Sequence, residues 1–325
     1  MMRPSVVTLG ETMVRLALPE HGRLAAGTPL SLGIGGAESN VAIAVARLGV
    51  PSTWMGHVGD DDFGSMVIRE ILGEGVRVIA QRDPAAPTGL LVKEHRRGHP
   101  TAVRYYRSGS AASRLTPKDL DETAIADAGV MHLTGITPAL GEGPTAAVHR
   151  AIAVAHAGGT LVSFDVNYRA SLWSKGAARA SLAKIIPDVD VLFAGPAEAA
   201  LMIHGEPQEP DGDPWTAGRE LATQLADLGP AHVVVKLGEH GALALRGGTI
   251  EEVPAYPVDV VDTVGAGDAF VGGYLAGLVT GQPTKGCLET GARLGALVCG
   301  ARGDWEGLLD WEGNDPSATR TDVLR

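Results

Sequence analysis

The sequence predicts an α/β protein: a doubly wound, mainly parallel β-sheet flanked by helices, with a small antiparallel β-sheet beside it. Three observations carry this expectation. From residue 130 onward, strand-like and helix-like stretches alternate, the order that lays helices on both faces of a parallel sheet. The strand-like stretches are near-continuous apolar runs, as in strands covered on both faces. In the N-terminal half, short strand-like stretches at 13–18, 28–32, 88–95 and 101–107 fall outside that rhythm and form the small sheet.

Taken in order, residues 6–10 read as a buried first strand ending at glycine, with Glu11 after it. Residues 13–18 suit a half-exposed strand, 19–27 a loop, and 28–32 another short strand. After Gly33-Ile34-Gly35-Gly36, residues 41–48 form a helix that is apolar nearly all round, hence buried, and stops at Gly49. Residues 53–58 read as a strand. Gly59-Asp60-Asp61-Asp62-Phe63-Gly64 reads as a helix entry whose acids suit a solvated cap better than a metal site. Arg96-Arg97-Gly98-His99-Pro100 is the turn of an exposed hairpin. A helix covers 117–128 with Pro117 in its first turn. Strands at 130–133, 160–164, 189–193 and 232–237 then alternate with helices at 144–156, 175–186 and 215–228. A hairpin at 241–246 and 250–253 precedes helices at 268–279 and 285–297. One domain is expected over 1–312, with a flexible tail at 313–325.

The chain has 325 residues, 45% hydrophobic and 20% charged, ordinary for a soluble globular protein. Aromatic residues are only 4%, so the core must be aliphatic. The 27 basic against 38 acidic residues, net −11, oppose a sequence-independent nucleic-acid surface. They leave room for an anionic ligand where N–H groups and arginines cluster. Cys287 and Cys299 lack metal-ligand spacing and read as free thiols in a reducing compartment. Neither a secretory h-region nor an 18-residue apolar window occurs, so no membrane span and a cytoplasmic location are expected.

Two glycine-rich turns open helices. The second, Asp262-Thr263-Val264-Gly265-Ala266-Gly267-Asp268, precedes Phe270, Tyr274 and Leu278 at helical spacing. A helix start leaves N–H groups unpaired, and the dipole adds positive charge there, so a phosphate binds readily. Asp268 at such a place would repel phosphate unless it took a proton from an attacking hydroxyl; the plainer alternative is an N-terminal cap. In the first, Gly35-Gly36 permits close approach of backbone to a ligand, or simply tight packing on the sheet. In a doubly wound sheet, ligands sit at the carboxyl ends of the strands. That directs attention to Asp165-Val166-Asn167-Tyr168-Arg169 and Lys236-Leu237-Gly238.

Together these turns resemble the signatures of the PfkB (ribokinase-like) carbohydrate kinases. The first signature resembles Gly35-Gly36-Ala37-Glu38-Ser39-Asn40-Val41-Ala42; the second matches Asp262 to Asp268 throughout, and Val58-Gly59-Asp60-Asp61-x-Phe63-Gly64 belongs to the likeness. The resemblance covers residues 5 to about 310. Within the family the chain is most similar to the 2-keto-3-deoxygluconate kinases, through Gly10-Glu11, Tyr105-Tyr106-Arg107-x-Gly109-Ser110-Ala111 and Asp165-x-Asn167-x-Arg169-x-x-Leu172-Trp173.

The resemblance implies an ATP- and Mg2+-dependent transfer of phosphate to that sugar acid at its 6-hydroxyl, with a monovalent cation as a further cofactor. Asp268 becomes the general base, and the amides of Gly265, Ala266 and Gly267 the anion hole. Gly35, Gly36, Asn40, Tyr105, Arg107 and Arg169 fall to the substrate, and Lys236, Gly238, Gly265 and Gly267 to the nucleotide. Glu198 falls to the metal through water, and Asp165 either joins it or makes a structural ion pair. An ion pair at a strand end is also the plain alternative for Arg169. The adenine is expected between the loop at 255–262 and the helix at 285–299. One departure stands out: the family's Asn-x-x-Glu reads Gly195-Pro196-Ala197-Glu198, keeping the glutamate and losing the asparagine. The small sheet resembles the family's lid, whose edges pair between subunits, so a homo-oligomer is expected. The alternatives are a fructokinase-like or 5-dehydro-2-deoxygluconokinase-like enzyme and, from another class, a non-catalytic sugar sensor.

Overall fold

The computed structural model describes residues 3–18, 24–94, 102–209 and 211–310. The apolar run β1 (Val6–Leu9) lies inside the large sheet, and the chain then leaves it for β2 (Met13–Ala17) and β3 (Ser31–Gly35) of the small one. It returns through α1 (Ala37–Arg47), β4 (Ser52–Gly59), α2 (Asp62–Gly73) and β5 (Arg77–Asp83). The small sheet is completed by β6 (Leu90–Glu94) and β7 (Ala102–Tyr106). The β–α alternation then supplies α3 (Glu122–Ala126), β8 (Val130–Thr134), α4 (Glu142–Gly158), β9 (Leu161–Asp165), α5 (Lys175–Leu182) and β10 (Val191–Ala194). Next come α6 (Pro196–His204), α7 (Pro214–Ala226) and β11 (His232–Lys236). The hairpin β12 (Gly241–Arg246) and β13 (Thr249–Pro254) precedes α8 (Ala266–Val279) and α9 (Thr284–Cys299).

The large sheet has nine strands in the order β13-β12-β11-β10-β9-β8-β1-β4-β5, parallel except at the β11–β12–β13 edge. One face is covered by a core drawn from α4, α5, α6 and α7, the other by α1, α2, α8 and α9. Helix ends follow their local chemistry. Asp61 and Asp213 cap α2 and α7 by accepting the Gly64 and Thr216 amides, and α4 stops at left-handed Gly159. Helix α8 is buried from Ala269 to Val279, and its Tyr274 hydroxyl lies 2.5 Å from His232 Nε2 and edge-on to the Phe193 ring. These contacts fix its long axis, and hence the position of its first turn.

The structure alters several expectations. The small sheet, order β3-β2-β6-β7, is antiparallel at its two outer pairs but parallel between β2 and β6. Strand β2 is buried rather than half-exposed, because it lies between two neighbours and under the segment that follows α9. Strand β3 begins later than 28 and runs into Gly35, so the first glycine turn is a strand end. The edge strand β5 has a mixed, part-exposed pattern without an apolar run, and α6 is a short helix started by Pro196; neither is announced by periodicity. The helix expected at 117–128 splits into a 3-10 turn, Pro117–Asp119, and α3, since Asp121 starts a new helix by accepting the Ala124 amide. That at 175–186 ends at Leu182, before a 3-10 turn holding Pro187. Residues 304–308, part of an apparently polar C-terminal stretch, pack inward through Trp305 and Leu308. The turn at 96–100 and the tail at 313–325 lie outside the described residues.

Candidate active site

The carboxyl ends of β1, β8, β9, β10 and β11 face the small sheet across a cavity of about 360 Å³. Gly35, Gly36 and Asn40 line it from the first turn, Gly265, Gly267 and Asp268 from the second. Tyr105 enters from β7 and Arg107 just after it, Arg169 from the segment after β9, Glu198 from the first turn of α6 and Lys236 from the end of β11. A neighbouring cavity of about 740 Å³ holds Gly238 and Ala266 in its wall and shares Lys236, Thr263 and Gly267 with the first. Of the singled-out site residues, all but Asp165, which lies buried behind Lys236, border one cavity or both.

The second turn is built as the sequence demanded. Gly265 sits at φ 85°, and a Cβ there would lie 1.9 Å from the Asp304 carbonyl oxygen, so only glycine fits. The Ala266 amide donates to the Thr263 carbonyl at 3.3 Å, whereas those of Gly265, Gly267 and Asp268 have no backbone acceptor among the described residues. The free donors are thus Gly265, Gly267 and Asp268 rather than the expected trio, because Ala266 closes the turn itself. Asp268 is not a cap: its carboxylate Oδ2 accepts a 2.8 Å bond from Asn40 Nδ2, joining the two turns. Burial pushes its pKa up to about 7, against the pull of Asn40 and Arg169. A carboxyl poised there can accept a proton near neutral pH.

The two arginines differ. Arg107 is buried, its Nε 2.6 Å from Glu11 Oε2, with Ser110 Oγ 2.6 Å from the other oxygen of the same carboxylate. Gly10-Glu11 and the 105–111 motif are thus one unit, and much of the Arg107 charge is answered from within. Arg169 is half-buried, bonds only the Tyr168 carbonyl at 3.2 Å, and is paired with no carboxylate among the described residues. It follows Asn167, whose φ of 40° bends the chain after β9.

Behind them lies a charged cluster. Lys236 Nζ donates to Asp165 Oδ2 at 2.6 Å; burial depresses its pKa, but Asp165 and Glu198 more than offset this and hold it raised. Glu198 accepts the Tyr168 amide at 3.0 Å and the Gly195 amide at 2.8 Å, and burial raises its pKa. Asp165 Oδ1 is buried without a hydrogen bond. No group of three or more potential ligands is suited to hold a metal directly among the described residues, the acids at 60–62 included. His132 beneath the cluster is neutral, its pKa lowered by burial to about 4.

Three lining acids escaped sequence reasoning as site residues: Glu11, Glu38 and Asp304. Glu38 is fully buried, accepts from Thr134 Oγ1 at 2.7 Å and Thr137 Oγ1 at 2.9 Å, and burial raises its pKa. Its place inside the first signature was the only available signal; Asp304 carried none.

Residues 3–310 match the profile described as pfkB family carbohydrate kinase. The chain is 38% identical over 304 residues to a 2-dehydro-3-deoxygalactonokinase of Haloferax volcanii, covering 93% of each chain. It is 37% identical over 315 residues to the 2-dehydro-3-deoxygluconokinase of Bacillus subtilis, covering 94% of this chain and 93% of that one. Among solved structures, the 2-dehydro-3-deoxygluconokinase of Thermotoga maritima superposes with a TM-score of 0.85 at 27% identity, over 94% of this chain and 97% of the other. A ribokinase-II candidate of E. coli, solved with ATP and Mg2+, gives 0.81 at 26% identity, over 96% and 98%.

Proposed function

The chain belongs to the pfkB family of carbohydrate kinases, and from that premise we propose that it transfers the γ-phosphoryl group of ATP to the 6-hydroxyl of 2-keto-3-deoxygluconate. The observation that carries the mechanism is Asp268, held by Asn40 in the wall of the smaller cavity, in the first turn of α8 and next to Gly267, which both cavities share. The sugar occupies the smaller cavity, ATP the larger. Asp268 takes the proton of the acceptor hydroxyl as that oxygen bonds to phosphorus, and the bond from phosphorus to the β–γ bridging oxygen breaks to release ADP. The free amides of Gly265, Gly267 and Asp268 stabilise the charge on the transferred group.

Arg169, the lining guanidinium paired with no carboxylate among the described residues, meets the substrate carboxylate. Arg107, tied to Glu11, orients hydroxyls with Tyr105, Gly35 and Gly36. The larger cavity suits a nucleotide. Gly267 shows bare backbone between the two, where a Cβ would meet only Lys236 Nζ, at 3.7 Å. The loop at 255–258 and α9 face each other across it, as expected for an adenine slot. Magnesium fits a site without a dry protein cage, since it keeps waters and phosphate oxygens as ligands. The unpartnered Asp165 Oδ1, with Glu198, would hold those waters, and the ion would neutralise phosphate charge.

The domain at 1–312, the cytoplasmic setting and self-association through the small sheet belong to the same reading. Leu32 and Tyr106 on its outer strands β3 and β7 are 58% and 63% exposed. No helix among the described residues is long and apolar enough to cross a membrane. The relative named for the galacto acid supports a second reading, in which the C4 epimer is also accepted or preferred. A coupled ADP-release assay with both epimers, fructose and 5-dehydro-2-deoxygluconate decides: better turnover of fructose than of either 3-deoxy acid sinks the proposal. No turnover with any sugar would return the sensor reading.

A further inference from the structure

Lys93 is a lysine with 1% of its surface exposed, in the small-sheet strand β6. Its ammonium lies 2.6 Å from Asp262 Oδ2, 3.0 Å from Asp304 Oδ1 and 3.4 Å from the Gly303 carbonyl oxygen. These oxygens come from two separate segments, the loop before α8 and the stretch after α9. A buried ammonium is tolerated only when paired, and two buried carboxylates facing each other only with a cation between them. A few well-packed apolar side chains would hold such a junction at least as firmly, so stability alone does not account for the arrangement.

What it fixes is the geometry of the second turn. Asp262 Oδ1 accepts the Val264 amide at 3.2 Å, and the Asp262 amide donates to the Cys299 carbonyl at 3.2 Å, so Asp262 shapes the approach to Gly265. Asp304 abuts both glycine turns: its carbonyl oxygen fills the space beside Gly265, and its Oδ2 lies 2.6 Å from where a Cβ of Gly35 would stand. Arg15 of β2 adds a second tie from the small sheet, 3.1 Å from Asp304 Oδ1 and paired also with Glu306. Neither Lys93 nor Asp262 lines either cavity, so any effect they have on the reaction passes through the turn.

We propose that Lys93 is a positioning residue for phosphoryl transfer. It is a built-in monovalent cation, delivered by the small sheet, that clamps the 262–265 and 303–304 segments so that the free amides of α8 face the transferred group. The inference rests on the anion-hole reading above. It also makes the small sheet part of the catalytic turn at this end of the site, and it makes turnover indifferent to added potassium, since the oxygens already hold an ammonium.

The test uses the full-length enzyme with whichever acceptor the wild type turns over best, so that a wrong sugar assignment leaves it intact. In Lys93→Met, kcat is expected to fall about 10²-fold, the scale of an ångström-sized misplacement, with KM for sugar and ATP held within about threefold. Amide exchange at 262–268 quickens while that of β8 to β11 is unchanged; this readout needs no turnover. Lys93→Ala leaves room for a small cation, so added ammonium restores kcat saturably, whereas Lys93→Met, with its space filled, is not rescued. Wild-type kcat in Lys93→Met, a parallel rise in KM, or unchanged exchange at 262–268 would overturn the proposal. Should Lys93→Met not fold, Lys93→Ala prepared in ammonium serves instead: kcat that falls when the ammonium is removed and returns when it is restored upholds the role, and kcat independent of ammonium refutes it.

Discussion

The two cavities that meet at Gly267 are made of different material. The smaller is walled by ionisable groups, among them Glu11, Glu38, Arg107, Arg169 and Asp268, most of them answered by a partner inside the protein. The larger is walled beyond Lys236 mainly by backbone and small or aliphatic side chains, such as Pro257, Val258, Ala292 and Ala296. A polyol acid must be read hydroxyl by hydroxyl, which takes fixed donors and acceptors, each costly to bury unless satisfied. A flat heterocycle needs only a slot of the right width. On the proposed reading, selectivity is concentrated in the first cavity and tolerance in the second, with Asp268 in the wall of the first beside the shared Gly267.

Four experiments press on that contrast, in falling order of effect. Asp268→Asn removes the proposed base and is expected to lower kcat by about 10²- to 10⁴-fold. An acid whose pKa rises to about 7 on folding lends stability that declines as pH climbs from the usual carboxylate range through 7. The melting temperature of Asp268→Asn at pH 8 should therefore match or exceed that of the wild type, and a collapse of the fold would return Asp268 to a structural role. Arg169→Met removes a charge-assisted contact of about 1.5–3 kcal/mol, so KM for the sugar acid should rise about 10- to 100-fold while that for ATP stays put. Equal shifts in both would erase the division between the cavities. The kcat/KM of the wild type should fall about tenfold per pH unit below 7, as Asp268 gains its proton, and level off above it; an acid limb near 4 would show a base that is not buried. The smallest effect should come from Ala296→Leu, which narrows the aliphatic wall: KM for ATP rises several-fold and sugar KM does not move, checked by titrating each substrate separately.

The main sheet was legible wherever strands were apolar runs and helices amphipathic, and β5 and α6 escaped because an edge strand and a short helix need neither pattern. The site was legible wherever it used glycine. Gly265, Ala266 and Gly267 announce a glycine-rich helix start by composition, and the structure adds that Asp268 bonds Asn40 instead of capping. The arginines were legible only as candidates. Arg107 and Arg169 look alike in sequence, each following a strand, and only the chain path through Glu11 and Ser110 makes one of them an internal partner.

By itself, the sequence determined the layers of the fold, the two glycine turns and the residue types of the chemistry, because these depend on short-range periodicity and on backbone conformations that only glycine tolerates. The tertiary structure decided which charges are spent and which are left over. Lys93 reaches Asp262 and Asp304 across 169 and 211 positions of chain, and Asn40 reaches Asp268 across 228. Pairings at such separations leave no local pattern. Burial in a low-dielectric interior raises the pKa of Asp268 against the pull of Asn40 and Arg169, and Arg169 itself is paired with no carboxylate among the described residues.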